Sequence, residues 1–306
     1  MSLVSVIIAV YNCEKYICQS LDSALHQTHS DLEILVGDDS SDDNTWKILL
    51  TYKDNRIKLY RNETNRGVVN TRNFLLDKAR GEFIIIQDGD DWSELNRIET
   101  LLDIFSKDKS LGACGTAYQR VDNKGSAKVV SRPNSFYLIL DDCNDIPFVP
   151  ATLMFRYSVY AQLGGYNEYF SGLIAEDLYW VVRLLEKHKV YYLNSALYYY
   201  RFNPSSITNS VGRKEKLIAL DLIRELLNQR KSSGTDWIEL NDTRAISQFA
   251  LNKFSDAVWL SEKYRELAAV QRDGKKRWIA LKIILKAIMY NPLAFQNYVT
   301  LKYVLF

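Results

Sequence analysis

One stretch constrains this chain more than any other: Phe83 to Ile86, an uncharged apolar run with three isoleucines, followed at once by Gln87-Asp88-Gly89-Asp90-Asp91-Trp92. The apolar run has the length and β-branching of a strand buried on both faces of a sheet. Folding alone has no use for three carboxylates within four residues, because they repel one another. A divalent cation relieves that repulsion, since hard ions such as Mg2+ and Mn2+ take carboxylate oxygens as ligands. Gly89 leaves room for a ligand to approach the backbone. An acidic turn capping a helix from about Ser93 is the simpler alternative. Position favours the cation, because open α/β sheets bind their ligands at the carboxyl ends of strands.

The residues before this stretch alternate between two periods. Leu3 to Val10, Leu32 to Val36 and Ile57 to Tyr60 read as strands. Ile17, Leu21, Ala24 and Leu25, then Trp46, Leu49, Leu50 and Tyr52, then Arg72, Phe74 and Leu75 mark intervening helices. This rhythm implies crossover connections, a largely parallel sheet and a site built from the loops at the strands' carboxyl ends. Those loops carry consistent chemistry. Tyr11 can stack on a base, and Asp38 and Asp39 can accept hydrogen bonds from a nucleobase imide and sugar hydroxyls. Arg72 offers a fork of donors to a phosphate or base carbonyl. Singly, each has a structural explanation; at successive strand ends they point to a nucleotide. No Gly-x-Gly-x-x-Gly follows the first strand and no Gly-Lys-Ser occurs, so dinucleotide and P-loop readings lack their phosphate cradles.

Four segments in order, Val4 to Asn12, Gly37 to Ser41 with Asn44-Thr45, Asn65 to Asn73, and Gly81 to Trp92, resemble the successive motifs of the family-2 glycosyltransferases. The resemblance covers about the first 205 residues. It implies an A-type glycosyltransferase fold: a Rossmann-like α/β domain with a mostly parallel mixed sheet flanked by helices, followed here by a C-terminal helical extension. It implies an inverting enzyme that uses a nucleotide sugar and a divalent metal, Mn2+ or Mg2+. Carried over residue by residue, Tyr11 and Asp39 hold the nucleobase, usually uracil, with Arg72 close by, while Asp38 is expected on the donor from its place in the second loop. Asp88 meets the ribose, and Asp90, with Asp88, serves the metal. The family's Asp-Asp-Gly-Ser stands here as Asp38-Asp39-Ser40-Ser41, so the turn after Asp39 differs.

Further along, Leu111 to Val121 reads as a strand, the turn at 122–125 leads to a hairpin through Val129-Val130, and Ala151 to Phe155 reads as a returning strand. Glu176-Asp177 opens an amphipathic helix, where the dipole favours acids. The family carries a Glu-Asp here, which implies Asp177 as general base; Glu176 is expected to orient or contact the acceptor, and Trp180 is expected beside it as an acceptor-binding residue. The Gln-x-x-Arg-Trp signature of processive relatives is missing, which favours transfer of one sugar. Tyr198 to Ser206 resembles the family segment that folds over the donor diphosphate and implies a donor contact from Arg201. No histidine follows His188, so the expected metal set is Asp90, Asp88, diphosphate and water.

Beyond Val211 strand patterns vanish, and helices are expected over Arg213–Gln229, Asp236–Phe249, Lys253–Ala269 and Lys275–Tyr290. This gives two domains, a catalytic one over 1–212 and a basic helical one over 213–306. The second holds 17 Lys and Arg against 10 Asp and Glu, a surplus of seven, so against a whole-chain charge of +2 the first carries −5. Trp278, Leu281, Ile284, Leu285 and Ile288 share one face of the last helix, with Lys275, Lys282 and Lys286 grouped on another. No acid follows Asp273. Such an end suits an anionic membrane surface, the alternative being a helix packed on the catalytic domain with solvated lysines, and the helices can also support a homodimer. Cys13, Cys18, Cys114 and Cys143 lack metal-ligand spacing and read as reduced thiols. With no signal peptide and no spanning stretch, the expected location is cytoplasmic, peripheral at the inner face of the membrane. Nothing in the charge balance calls for nucleic acid. Two rivals are a sugar-nucleotide pyrophosphorylase, which would need a glycine-rich loop after the first strand, and a non-catalytic nucleotide-binding scaffold at the membrane.

Overall fold

A computed structural model describes residues 2–122, 124–139, 146–173, 175–203 and 214–306. The chain divides into two compact units, 1–202 and 203–306; the boundary expected at 212 lies outside the described residues.

The first unit opens with β1 (Val4–Val10), α1 (Ile17–Leu25), β2 (Leu32–Asp38), α2 (Thr45–Leu49), β3 (Ile57–Arg61), α3 (Val68–Lys78) and β4 (Phe83–Ile86). It continues through β5 (Trp92–Ser93), α4 (Arg97–Lys107), β6 (Leu111–Val121), β7 (Ala127–Val130), β8 (Phe136–Tyr137), β9 (Met154–Arg156), α5 (Tyr157–Leu163), α6 (Glu176–Lys187) and β10 (Lys189–Arg201). The strands form one mixed sheet in the order β3-β2-β1-β4-β9-β6-β10-β5, with β7 paired to β6 and β8 to β10. Strands β3, β2, β1 and β4 run parallel, and β9 is antiparallel to both β4 and β6. Since β6 and β10 are parallel, the carboxyl ends of β1, β2, β4, β6 and β10 share one edge.

Residue alternation explains the layering. Ile7, Leu35, Ile84 and Ile86 point to the face covered by α3, α5 and α6, where they meet Leu75, Val159, Val181 and Leu184. Their neighbours Val6, Ile8, Ile34, Val36 and Ile85 point to the opposite face, covered by α1, α2 and α4 through Leu21, Leu49 and Leu101. Each such side chain contributes on the order of 1.5–3 kcal/mol by leaving water. A strand buried on both faces needs an unbroken apolar run, which is why β4 reads as Phe-Ile-Ile-Ile.

Several expected boundaries move. The helix expected near Ser93 starts at Arg97, because Trp92 and Ser93 pair instead with Tyr199 and Tyr198 of β10. The returning strand begins only at Met154; Pro150, which has no N–H to give a ladder, opens a 3-10 turn through Thr152. The hairpin through Val129 and Val130 forms as expected against β6.

The second unit is helical: α7 (Ala219–Ser233), α8 (Thr243–Ser255), α9 (Ala257–Asp273), α10 (Arg277–Tyr290) and α11 (Phe295–Leu305). The helix expected from Arg213, itself outside the described residues, starts at Ala219. The one expected from Asp236 starts at Thr243, because the Asp236 carboxylate is buried in an ion pair with Arg230 at 2.9 Å and its other oxygen accepts from the N–H groups of Ile238 and Glu239. The sequence reading missed α11. Both α10 and α11 pack on α9, burying Ala268, Ala280, Ile284, Ala287 and Val304 together. No helix among the described residues is long and apolar enough to cross a membrane. Cys13, Cys18 and Cys114 are free thiols, and Cys143 lies outside the described residues.

Candidate active site at the carboxyl edge of the sheet

The loops after β1 and β2 are locked to each other by Asn12. Its backbone is left-handed (φ 53°), its N–H donates to Ser41 Oγ at 2.9 Å, and its Oδ1 accepts from the N–H of Asp42 at 2.9 Å. A short polar side chain tolerates this conformation, and the result is to turn Tyr11 outward. Tyr11 is 42% exposed, with its hydroxyl donating to Asp42 Oδ2 at 3.0 Å, so the ring lies open at the mouth of the edge.

The two aspartates that follow β2 have separate structural jobs. Asp38 is fully buried, accepts the Ser41 hydroxyl and pairs with Arg61 Nε at 3.1 Å. This corrects the expected donor contact: the Asp38 carboxylate faces inward and pins the turn. Asp39 accepts from Asn62 Nδ2 at 2.7 Å, from the N–H of Arg66 at 2.8 Å and from the N–H of Gly67 at 2.8 Å. It therefore anchors the loop that leads into α3, and Oδ2, with one bond filled, keeps a second lone pair.

Arg72, one turn into α3, is the hub of the site. Its Nη2 meets Asp88 Oδ1 at 2.5 Å and its Nη1 meets Glu176 Oε1 at 3.4 Å, joining residues 16 and 104 positions away in the chain. The guanidinium also lies 5.9 Å from the centre of the Tyr166 ring. Burial opposes its charge, but Asp88, Tyr166, Glu176 and Asp177 outweigh burial and hold it firmly protonated. The neighbouring Asn73 fixes Tyr166 by a pair of hydrogen bonds, each 2.8 Å, to its N–H and carbonyl. A Cβ on Gly165 would fall 2.3 Å from Asn73 Oδ1, so the close approach of that loop to α3 requires glycine.

The acidic loop crosses from the end of β4 to the end of β10. Tyr198 lies beneath it, accepting the N–H of Asp88 at 3.2 Å. Arg97 is 1% exposed under Tyr198, 4.7 Å from its ring, and ties Ser93 Oγ (2.9 Å) to the carbonyl of Ala151 (2.8 Å). Arg201 closes the far side. Its N–H donates to Asp91 Oδ1 at 2.7 Å, its Nε donates to the carbonyl of Asp90 at 2.8 Å, and its guanidinium lies between the rings of Tyr16 and Trp92 at 4.8 and 4.5 Å. Asp91 is buried, and among the described residues no donor makes a well-formed hydrogen bond to its Oδ2, with the Tyr198 hydroxyl close by. Burial, with Asp88 and Asp90 alongside, raises it well above the ordinary carboxylate range.

Gly89 has a different reason from the one the sequence suggested. A Cβ there would lie 2.4 Å from Val10 Cγ1, so the space is filled by β1 rather than kept for a ligand. Gly89→Ala is expected to push the acidic loop off β1, weakening nucleotide binding at this edge at least tenfold with only a modest loss of thermal stability. Calorimetric titration with a panel of nucleoside diphosphates and a melting curve check both halves.

At the other side of the hub, Glu176 and Asp177 stand at the start of α6. Glu176 is nearly buried and turned onto Arg72. Asp177 is half-buried and accepts the N–H of Leu178 at 2.7 Å. Burial, then the charge of Glu176, lifts Asp177 to about 7, against the pull of Arg72. Trp180 is corrected outright. It is 3% exposed, donates from Nε1 to the carbonyl of Gly164 at 2.9 Å and packs on Phe155 and Tyr166, so it is a core residue and presents no face to an acceptor.

Among the described residues no three His, Cys, Asp or Glu side chains gather around one point as a metal cage. Asp88 and Asp90 carry hard oxygen donors of the kind that would hold a divalent ion completed by phosphate oxygens and water.

Tyr166, Asn73, Arg97 and Tyr198 were missed by the sequence reading. Asn73 and the Gly164-Gly165-Tyr166 punctuation offered a signal; Arg97 and Tyr198 looked like ordinary helix and strand residues.

These features are those of an α/β enzyme with its ligand site across the carboxyl edge of a mixed sheet. The sequence profile described as Glycosyl transferase family 2 matches residues 5–164. A Bacillus subtilis (strain 168) protein described as a glycosyltransferase, EpsE, is 32% identical over 283 residues, 89% of this chain and 96% of that one. The Escherichia coli UDP-Glc:alpha-D-GlcNAc-diphosphoundecaprenol beta-1,3-glucosyltransferase WfaP is 35% identical over 145 residues, 47% of this chain and 58% of that protein. The chain therefore belongs to glycosyl transferase family 2. S. aureus TarS 1-349, solved in complex with UDP-GlcNAc, superposes with a TM-score of 0.63 at 20% identity, covering 99% of this chain and 90% of that one. That likeness concerns the fold, which is the A-type glycosyltransferase fold.

Proposed function

We propose that this chain transfers one sugar from a UDP-hexose or UDP-N-acetylhexosamine to a glycan or lipid-linked acceptor, with inversion at the anomeric carbon. The observation that carries the reading is the Arg72 hub, which joins Asp88 of the acidic loop to the Glu176–Asp177 pair. A donor held by the loop thereby lies beside a carboxylate lifted to about 7, a good match for a base working near neutral pH. Tyr11 stacks on the uracil, Asp39 Oδ2 accepts its imide N–H, Asp88 meets the ribose, and Arg201 faces the diphosphate. The acceptor hydroxyl oxygen attacks the anomeric carbon and its proton passes to Asp177. The bond from that carbon to the diphosphate oxygen breaks, and UDP leaves with the electron pair. A Mn2+ or Mg2+ ion held by Asp90 and Asp88 would supply neutralisation of the leaving diphosphate. Attack by the acceptor oxygen in one displacement inverts the anomeric carbon.

Support from relatives is of two kinds: WfaP is described as using UDP-Glc and an undecaprenol-linked acceptor, and TarS has been solved with UDP-GlcNAc. The test is a panel of UDP-sugars incubated with the protein and Mn2+ or Mg2+, with UDP release as readout. One donor is expected to give metal-dependent release. Asp90→Ala is expected to abolish release and to remove Mn2+ binding measured by calorimetry in the presence of UDP, with the melting temperature held. Wild-type Mn2+ binding by that variant rejects the metal assignment. UDP binding without release of UDP from any donor would favour a nucleotide-binding scaffold instead.

A further inference from the structure

The sequence pattern of α10 suggested one apolar stripe through Trp278, Leu281, Ile284, Leu285 and Ile288. The structure splits it. Ala280, Ile283, Ile284 and Ala287 turn inward onto α9, and the opposite side of the helix carries Trp278, Lys282, Leu285 and Met289. At 3.6 residues per turn these four, spaced by 4, 3 and 4, form one line. Trp278 is 79% exposed, Leu285 52% and Met289 69%. The same spacing recurs from α11 to the terminal residue: Phe295, Val299, Lys302 and Phe306 face out, while Asn297 and Val304 face in. Leu293, between the helices, is 93% exposed. Burial against α9 therefore accounts for only one side of each helix.

We infer that the outward lines of α10 and α11 form a docking surface for an anionic lipid bilayer. Large apolar side chains interrupted by lysine are what an interfacial helix needs, since the lysine stem lies in the apolar layer while its ammonium reaches the headgroups. Lys275 just before α10, and Arg277 and Lys286 within it, add positive charge, and neither α10 nor α11 contains an acid. Charge also argues against a second copy of this chain as the occupant, because a two-fold contact would set Lys282 and Lys302 against like charges. The inference extends the lipid-linked acceptor of the proposed function, and its test does not depend on transfer.

The full chain is sedimented with vesicles of phosphatidylcholine alone or mixed with phosphatidylglycerol. Binding is expected only to the mixed vesicles and is expected to fall as salt rises, because the attraction is screened. Trp278→Ser with Phe295→Ser changes two exposed side chains and is expected to lower the partition coefficient at least about tenfold, with an unchanged melting curve. Lys282→Glu with Lys302→Glu is expected to abolish the preference for the mixed vesicles. UDP release with a water-soluble acceptor is expected to be the same for all variants. A full chain that ignores mixed vesicles, or a serine variant that binds them as the wild type does, overturns the inference. So does a concentration-dependent dimer, seen by sedimentation velocity, that the serine variant loses. Vesicle binding that persists when no UDP-sugar is turned over would reject the proposed reaction and leave this surface standing.

Discussion

Asp177→Asn is expected to lower the transfer rate by roughly two to four orders of magnitude while leaving UDP affinity within about twofold. The amide keeps the shape and can still accept the N–H of Leu178 through its oxygen, but it cannot take a proton. The wild-type pH profile should show the same group. The active form is the ionised one, so kcat/KM should fall about tenfold per pH unit below an inflection near 7, where Asp177 is held by burial and by Glu176. Removing the second cause moves the inflection in a known direction: Glu176→Gln takes away a negative neighbour, ionisation of Asp177 becomes easier, and the inflection shifts to lower pH. An Asp177→Asn variant with wild-type transfer, or a profile flat across neutrality, rules out Asp177 as base.

Arg72→Met is expected to damage both the fold around the site and transfer. The side chain is only 11% exposed and answers two carboxylates from different parts of the chain. Taking out one partner of a buried ion pair leaves the others uncompensated, at a cost of about 3–5 kcal/mol when fully buried and somewhat less at this partial exposure. Transfer should fall at least about 100-fold, since the Asp88 loop and α6 lose the group that sets their separation. The pH profile distinguishes this from simple loss of fold. Arg72 lowers the pKa of Asp177, so its removal should move the remaining activity's inflection above 7, opposite to the shift from Glu176→Gln. Thermal melts and pH–rate profiles of the two variants measured together check both statements. An unshifted inflection in Arg72→Met places Asp177 out of reach of the hub.

Much of the fold could be read from period alone. The strands β1 to β4 and β6, and the helices between the first of them, follow from alternating and helical apolar spacing, because a sheet covered on both faces and an amphipathic helix each leave a local trace. The order of the motifs placed Tyr11, Arg72, the acidic loop and Glu176–Asp177 at strand and helix ends, where ligands are bound. Burial direction leaves no such trace. Asp38 and Asp39 are adjacent and chemically identical, yet one is sealed against Arg61 and Ser41 while the other holds the loop at 62–67. Trp180 sits three residues after Asp177 on the same helix, and only the packing of Phe155, Tyr166 and Gly164 shows that it belongs to the core. Similarly, a helical stripe can be read from α10, but which side meets α9 depends on neighbours from elsewhere in the chain.

By itself, then, the sequence determined the strand-helix rhythm, the acidic loop at a strand end and the basic helical end of the chain, all of which depend on residues close together along the backbone. Only the tertiary structure decided that Arg72 joins Asp88 to Glu176, that Gly89 yields its space to Val10, and that Trp278 and Leu285 stay in solvent while Ile284 does not. The physical reason is that a charge pair, a close approach or a buried face is set by the distance between side chains in space, and partners 16, 79 or 104 residues apart have no fixed distance until the sheet and its helices have closed around them.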